Sequence, residues 1–371
     1  MAISGKVNTM DSQGQVQVKA FGKVLVFGGY AILEEGNIGL VVNVDKGTEV
    51  TVRDNPEGRF SAAIPQYDLH TSGSFEEGKL VLDQGDTRLS FLVNAVTYAR
   101  QYLEAQHVPF RDVGIITRND AELIGSKGKK TGLGSSASST VAIVAAILKF
   151  HGVDDRDVVY KISCYSHHLT QDRFGSNYDV YAACYGSHFF TGSKMKLDEH
   201  FMRCISAGWN ISRDSYTWPE ELLPVLVFTG HVASTRHLVE KVLQYRKKHR
   251  KDYEALMSEY NGIDIKLREA FIGHDLDLIP GLLERSWEKR RELGERSGAN
   301  IEPQSFTELM QEMKAHGALA AGLVGAGGGD SILALCRDKQ EQDKLIAFAK
   351  RKRYLVLENL NVIDSGYVFL E

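Results

Sequence analysis

The feature that most constrains this chain is a glycine- and serine-rich turn that runs directly into an apolar helix. Residues 129–137 are Lys-Lys-Thr-Gly-Leu-Gly-Ser-Ser-Ala, and a mostly apolar run of good helix formers continues to residue 148. The first amides of a helix are unpaired, and its dipole favours an anion. The two glycines let the backbone approach a bulky ligand, and the serine hydroxyls suit phosphate oxygens or a magnesium ion. The segment therefore predicts a phosphate-binding loop.

Other loops of this composition differ in their neighbouring residues. A P-loop needs a lysine directly after its second glycine, and Ser135 stands there instead. The pattern Gly132-x-Gly134-x-x-Ala137 fits a dinucleotide fingerprint, but polar residues precede it where a buried strand is expected. A simple helix cap needs one serine or threonine rather than a cluster. An NAD-binding turn and a plain cap stay open as alternatives.

Length and composition bound the class of protein. A chain of 371 residues exceeds one typical core, and a change of composition near residues 209–224 favours a domain boundary between residues 215 and 216. The net charge of −4 argues against general binding of nucleic acid or of an anionic membrane. The longest apolar run, residues 141–148, is too short for insertion into a bilayer, which takes about 20 residues. The four cysteines form no C-x-x-C pair, which favours reduced thiols in a cytoplasmic protein.

Hydrophobic periodicity predicts a mixture of strands and helices. Two short strands, at 16–18 and 23–30, are expected around a tight turn at Phe21-Gly22. The other expected strands are at 48–53, 113–117, 222–228, 331–336, 354–357 and 366–370, and the expected helices are at 89–103, 136–150, 155–170, 235–260, 263–271, 276–293, 303–316 and 339–352. Because this order lacks regular β-α-β alternation, the predicted fold class is α+β.

The loop at 132–137 resembles, residue for residue, the Gly-Leu-Gly-Ser-Ser-Ala loop of the GHMP small-molecule kinases. Four further segments resemble motifs of that family, in the family's order: residues 21–33, 175–180, 229–236 and 325–331. One such motif is weak support, whereas four in order are strong. The resemblance implies a two-domain fold, with a ribosomal S5 domain 2-like domain at 1–215 and a ferredoxin-like domain at 216–371. It also implies ATP and Mg²⁺ as cofactors.

The resemblance assigns roles to individual residues. Lys23 and Asp179 are implied as catalytic, although a strand-edge lysine and a helix-capping aspartate are the ordinary uses of such residues. The residues implied to bind ATP are Lys130, Thr131, Gly132, Leu133, Gly134, Ser135, Ser136 and Ala137, with Ser136 as a magnesium ligand. The residues implied to contact the acceptor are Lys23, Tyr30, Arg173, Ser176, Asp179, Ser234, Thr235, Gly327, Gly328, Gly329 and Asp330. His167 and His168 are expected to be ordinary helix residues.

The first motif indicates which branch of the family the chain resembles. Mevalonate-type members carry Gly-Glu-His there, with the glutamate as a magnesium ligand, whereas this chain has Gly28-Gly29-Tyr30. That sequence and residues 298–303 resemble the fungal and plant branch, whose acceptor is phosphomevalonate. Removing the negative charge at Gly29 makes room for a dianionic acceptor, whose phosphate is expected to pair with Lys130 and Arg173.

Other functions remain as alternatives at this point. They are a mevalonate-type kinase, a diphosphomevalonate decarboxylase, the NAD-dependent enzyme and a non-catalytic binding module. The expected partners are ATP and the small-molecule acceptor, with no nucleic acid and no membrane insertion. The expected assembly is a monomer or a homodimer.

Overall fold

Mixed strands and helices form the predicted α+β fold in a computed structural model that describes residues 14–124, 131–170, 176–192, 197, 200–209, 214–231, 234–329, 331–358 and 360–371. The strands are β1 (Gln15–Phe27), β2 (Ile38–Asp54), β3 (Phe60–Ile64), β4 (Leu69–Glu76), β5 (Lys79–Leu82), β6 (Val113–Asn119), β7 (His188–Thr191), β8 (Leu223–Phe228), β9 (Ala320–Leu323), β10 (Ser331–Cys336), β11 (Leu355–Leu357), β12 (Val362–Ile363) and β13 (Val368–Leu370). The helices are α1 (Ser90–Ala105), α2 (Ser135–Phe150), α3 (Arg156–Thr170), α4 (Tyr178–Tyr185), α5 (Phe201–Ser206), α6 (Thr235–Lys248), α7 (Arg250–Gly273), α8 (Ile279–Ser297), α9 (Gln304–Ala315) and α10 (Lys339–Arg351).

The larger sheet has the strand order β13-β1-β2-β6-β3-β4-β5, with β7 and β12 also paired to β2. The expectation of two strands around a turn at Phe21-Gly22 was wrong. Instead, β1 runs through these residues, and its register against β2 shifts there as a β-bulge. A Cβ on Gly22 would lie 2.9 Å from the carbonyl oxygen of Leu133, so glycine lets the phosphate loop cross the strand at close range.

Helix α2 forms the centre of the first half. Its residues are buried almost continuously from Ala137 to Leu148, because apolar side chains surround its whole circumference. The predicted helices at 89–103, 136–150 and 155–170 are confirmed within two residues at each end by α1, α2 and α3. None of the helices in the described parts of the chain has both the length and the apolarity needed to cross a bilayer.

The smaller sheet has four antiparallel strands in the order β11-β8-β10-β9. Helices connect β8 to β9 and β10 to β11, which gives the β-α-β-β-α-β arrangement of a ferredoxin-like fold. The chain then returns to the larger sheet, where β12 pairs with β2 and β13 pairs with β1. The boundary between residues 215 and 216 stays a prediction.

A hydrophobic cluster joins the two halves of the chain. Phe27 at the end of β1 packs in one cluster with Leu226, Phe271 and Trp287 from the second half. The indole N–H of Trp287 also donates to the carbonyl oxygen of Val26 at 3.2 Å. Burial of apolar surface stabilises a fold by about 25 cal/mol per Å². This cluster therefore holds α8 against the end of β1, next to the first motif.

His188 makes the stability of the fold sensitive to acid. Its ring is buried at the start of β7, and burial lowers its pKa to about 4 from the ordinary value of 6.5. Between these two values the unfolded chain binds a proton that the folded chain excludes, so the free energy of unfolding falls as pH falls. Between these two pH values, we expect the free energy of unfolding of the wild type to fall by about 3 kcal/mol relative to that of His188→Gln.

Urea denaturation at neutral pH, pH 5.5 and pH 4 measures this effect. Substitution of the exposed His70 by Gln on β4 is the matched control. A difference between the wild type and His188→Gln that stays constant with pH would contradict the prediction.

Candidate active site

The predicted phosphate loop is an uncapped helix N-terminus. Gly132 and Gly134 both have a φ of +82°, in the left-handed region that favours glycine. Gly134 is the N-cap of α2, and no described side chain caps this end of the helix. The first amides of α2 are therefore available at the positive end of the helix dipole. Such an arrangement binds an anion like phosphate.

Only part of the serine cluster is available to a ligand at this opening. Ser138 and Ser139 are buried, and their hydroxyls contact the Thr48 hydroxyl on β2 at 2.9 and 3.3 Å. They fasten α2 to the sheet. Ser135 and Ser136 are only half-buried and lie in the first turn, beside the unpaired amides. These two hydroxyls are the ones that the loop offers to a phosphate or a metal ion.

Lys23 reaches the phosphate loop from β1. Its amide donates to the carbonyl oxygen of Leu133 at 2.8 Å, and its Nζ donates to the carbonyl oxygen of Gly132 at 3.1 Å. The ammonium also lies 5.2 Å from the centre of the Tyr178 ring, within cation–π range. Lys23 is 8% exposed, so its charge is weakly screened by solvent. A lysine held beside an anion-binding helix end is suited to neutralising a phosphoryl group.

Asp179 lies in the first turn of α4. Asn177 starts this helix with a φ of +58°, a conformation that asparagine tolerates better than most residues. The Asp179 Oδ1 accepts a hydrogen bond from the Val180 amide at 2.9 Å, and its side chain is 23% exposed. Tyr178 contacts Lys23 and directly precedes Asp179, so the segment that carries Asp179 packs against the Lys23 side chain. Their catalytic roles stay predictions.

The glycine-rich turn after β9 packs against this site. The Ser331 hydroxyl donates to the carbonyl oxygen of Thr131 at 2.8 Å, which links β10 to the phosphate loop. The Tyr178 hydroxyl lies 3.9 Å from the position that a Cβ on Gly325 would take. Tyr178 therefore stands between Lys23 and the glycine-rich turn.

The three consecutive glycines at 327–329 bring the backbone of this turn close to other segments of the chain. A Cβ on Gly327 would lie 2.4 Å from the carbonyl oxygen of Ile301, which also accepts a hydrogen bond from the Gly328 amide at 2.6 Å. A Cβ on Gly329 would lie 3.0 Å from the carbonyl oxygen of His231. These glycines fix the turn against two neighbouring loops, and their contact with the acceptor stays a prediction.

Other predicted acceptor contacts also support the fold. Tyr30 is buried, and its hydroxyl donates to the carbonyl oxygen of Ala326 at 2.9 Å. Ser234 caps α6 by accepting a hydrogen bond from the His237 amide at 3.3 Å, and Thr235 follows it as an exposed residue. These side chains hold the loops around the site, whatever they contribute to binding.

The remaining predicted contacts are not tested by the structure. Ser176 is half-buried directly before Asn177, at the start of α4. Lys130, Arg173 and Asp330 lie outside the described residues, so their assignments stay predictions.

The oxygen donors of the site suit a magnesium ion that is bound together with phosphates. Ser136 and Asp179 supply a hydroxyl and a partly exposed carboxylate, and the buried Thr131 Oγ1 has no hydrogen-bond partner among the residues that the structure describes. No group of three or more His, Cys, Asp or Glu side chains forms a metal cage within the described part of the chain. Magnesium is commonly held by one or two carboxylates plus substrate phosphates rather than by such a cage.

Three residues at the site were missed by the sequence analysis. Tyr178 stands next to Asp179 in the same motif, which was the available signal. His167, expected to be an ordinary helix residue, has its Nε2 3.9 Å from the Asp179 Oδ2. Arg290 lies on the same buried face of α8 as Leu283 and Trp287. An arginine at the helical spacing of core residues was the feature of the sequence that could have identified it.

The fold and the site together define a class of protein. A helix N-terminus that is open to phosphates, a lysine held beside it and a ferredoxin-like second half are the parts of a small-molecule kinase. A dinucleotide-binding turn would directly follow a strand, whereas the last strand described before this loop, β6, ends at Asn119. Two family models match in chain order: the GHMP kinases N terminal domain at residues 92–187 and the GHMP kinases C terminal domain at residues 267–354. The chain belongs to the GHMP kinase family.

Relatives within this family align with most of the chain. A phosphomevalonate kinase of Gibberella zeae is 25% identical and covers 88% of this chain and 88% of its own length. A phosphomevalonate kinase of Saccharolobus solfataricus is 27% identical and covers 92% of this chain and 96% of its own length.

Solved structures share the whole architecture. The Lin0012 protein of Listeria innocua superposes with a TM-score of 0.84 at 25% identity, over 96% of this chain and 99% of that one. A phosphomevalonate kinase of Streptococcus pneumoniae, in complex with phosphomevalonate and AMPPNP, superposes with a TM-score of 0.73 at 20% identity, over 94% of this chain and 99% of that one. The second likeness supports the fold alone.

Proposed function

We propose that the chain is an ATP-dependent kinase that converts phosphomevalonate to diphosphomevalonate. The observation that carries this proposal is the contact of Lys23 with the phosphate loop at the uncapped N-terminus of α2, in a chain of the GHMP kinase family. The acceptor is inferred from the relatives, which are named phosphomevalonate kinases and align over nearly their whole length. Gly29, in place of the glutamate of mevalonate-type kinases, agrees with an acceptor that carries more negative charge.

The chemistry asks mainly for positioning and charge neutralisation. A phosphate oxygen of the acceptor attacks the γ-phosphorus of ATP, the bond from that phosphorus to the β–γ bridging oxygen breaks, and ADP leaves. The second pKa of a phosphate monoester is about 6, so the attacking oxygen is already mostly anionic at neutral pH. No proton has to be removed from it. The site must therefore overcome the repulsion between two anionic reactants.

The described residues have separate roles in this reaction. The first amides of α2, with Ser135 and Ser136, hold the ATP phosphates, and Lys23 neutralises charge on the transferred group. Asp179 orients the lysine and the acceptor rather than acting as a strong base. When bound with ATP, Mg²⁺ supplies further neutralisation of the phosphates, and Ser136 and Asp179 are the oxygen donors that we propose for it.

A coupled assay of ADP release tests the proposal. We expect kcat/KM for phosphomevalonate to exceed that for mevalonate by about 10²-fold or more, because a site built for a phosphate leaves its cationic groups unpaired when an alcohol binds. Homoserine and galactose serve as unrelated acceptors. ADP release without release of CO₂ would exclude a decarboxylase. Comparable turnover of mevalonate and phosphomevalonate would contradict the proposed acceptor.

A further inference from the structure

Arg290 is a buried cation with unusually few partners. It lies on α8 and is 2% exposed. Its Nη1 donates to the carbonyl oxygen of Gly325 at 3.4 Å, a long hydrogen bond, and its Nε and Nη2 have no hydrogen-bond partner in the part of the chain that the structure describes. Burying a charge is unfavourable unless other groups compensate for it. The described part of the chain supplies no such group to most of the guanidinium, which points to a counter-charge from a bound molecule.

Among the described side chains, Asp264 is the acidic group that interacts with Arg290, and it compensates the charge poorly. The Asp264 Oδ1 accepts from the Ser286 hydroxyl at 2.7 Å, and its Oδ2 has no hydrogen-bond partner within the described residues. Burial raises the pKa of Asp264 well above its ordinary range, which weakens it as a negative partner. Asp264 is therefore an incomplete counter-charge for the guanidinium.

Arg290 packs directly against the backbone of the first motif. A Cβ on Gly29 would lie 3.2 Å from the Arg290 Cδ and 3.2 Å from the carbonyl oxygen of Gly325. Gly29 occupies the position where mevalonate-type kinases carry a glutamate, so this chain has a cation packed behind a place where a carboxylate stands in those relatives.

Arg290 lies on the side of the site away from Lys23, which favours an interaction with the end of the acceptor that does not carry the phosphate. Lys23 marks the transferred phosphoryl group, and the acceptor phosphate must lie next to it. Tyr178 extends from Lys23 towards Gly325, and Arg290 lies beyond that turn. An acceptor bound along this direction, with its phosphate near Lys23, would have its carboxylate near Gly29 and Gly325, beside Arg290.

We propose that Arg290 is a positioning residue whose buried guanidinium, acting through the backbone of Gly29 and Gly325, supplies the positive charge that balances the carboxylate of the acceptor. This inference rests on the proposed function, because it takes phosphomevalonate as the acceptor. In a poorly screened interior such a charge acts across several ångströms without direct contact. Arg290 is a positioning residue in this sense rather than a catalytic one.

The test compares acceptors with and without a carboxylate. In Arg290→Met we expect the KM for phosphomevalonate to rise about tenfold or more, while the KM for ATP stays within about twofold. For the analogue of phosphomevalonate in which a primary amide replaces the carboxylate, the wild type and Arg290→Met should have the same KM. Arg290→Lys keeps the charge and should restore most of the affinity for phosphomevalonate.

Controls separate this role from a structural one. Arg285→Met is the same substitution at an exposed position of the same helix, and it should leave every KM unchanged. Arg290→Gln replaces Arg290→Met if the methionine variant does not fold. Equal effects of the substitution on the carboxylate and the amide acceptor, or an equal rise in the KM for ATP, would overturn the inference. Failure of the wild type to use phosphomevalonate at all would instead overturn the proposed function.

Discussion

Gly134→Val is expected to abolish ATP binding while leaving a folded protein. Gly134 has a φ of +82° at the N-cap of α2, and a Cβ there would lie 3.1 Å from the Lys23 Cε. A valine therefore fills the opening in front of the first amides of α2 and pushes Lys23 away from the loop. We expect the Kd for AMPPNP, measured by calorimetry, to rise about 10²-fold or more, because the phosphates can then contact neither the amides nor Lys23.

Gly152→Val is a closely matched control. Gly152 also has a φ of +82° and follows the other end of the same helix, but a Cβ there would meet no atom within 4 Å. Both variants carry the same backbone strain, so their losses of melting temperature should be similar. Normal AMPPNP affinity in a folded Gly134→Val protein would show that the phosphates bind elsewhere. A loss of affinity in Gly152→Val would show that strain rather than blocking is responsible.

The phosphate loop was predictable because its physical causes are local. Gly132 and Gly134, the serines and the apolar run after them specify the turn and the helix without help from distant residues. The same holds for α1 and α3, whose periodic apolar faces predicted them closely. The sequence could not say which serines were available, because Ser138 and Ser139 are buried by contacts with Thr48, far away in the chain.

Features that depend on distant contacts were missed. Nothing near Gly22 in sequence reveals that the phosphate loop crosses β1 there, so a bulge was predicted as a turn. Strands β3, β4 and β5 carried no prediction, because such short and partly polar segments are strands only through pairing with β6 and with one another. The position of Arg290 behind Gly29 likewise required the packing of α8 against the first half.

Lys23→Met is expected to lower kcat by about 10²- to 10³-fold, the usual loss when one preorganised group that stabilises transition-state charge is removed. Methionine keeps an unbranched apolar stem on β1 and removes the charge and the hydrogen bond to the Gly132 carbonyl oxygen. Lys19→Met is the control on the same strand, because Lys19 pairs with Glu49 and Asp120 away from the phosphate loop. Similar losses of kcat in both variants would contradict a catalytic role for Lys23.

Asp179→Asn distinguishes an orienting carboxylate from a general base. Asparagine can still accept the hydrogen bond from the Val180 amide, so the start of α4 and the AMPPNP affinity should persist. We expect kcat to fall by about 10²-fold or more, as it does when a positioned acid–base or orienting group is lost. Because a phosphate acceptor is already ionised near neutral pH, the residual activity should not rise steeply between pH 7 and 9. An alcohol acceptor must lose a proton as it attacks, so without its base the rate would recover with hydroxide concentration. A steep alkaline recovery in Asp179→Asn would therefore identify Asp179 as a true base and favour a mevalonate-type acceptor.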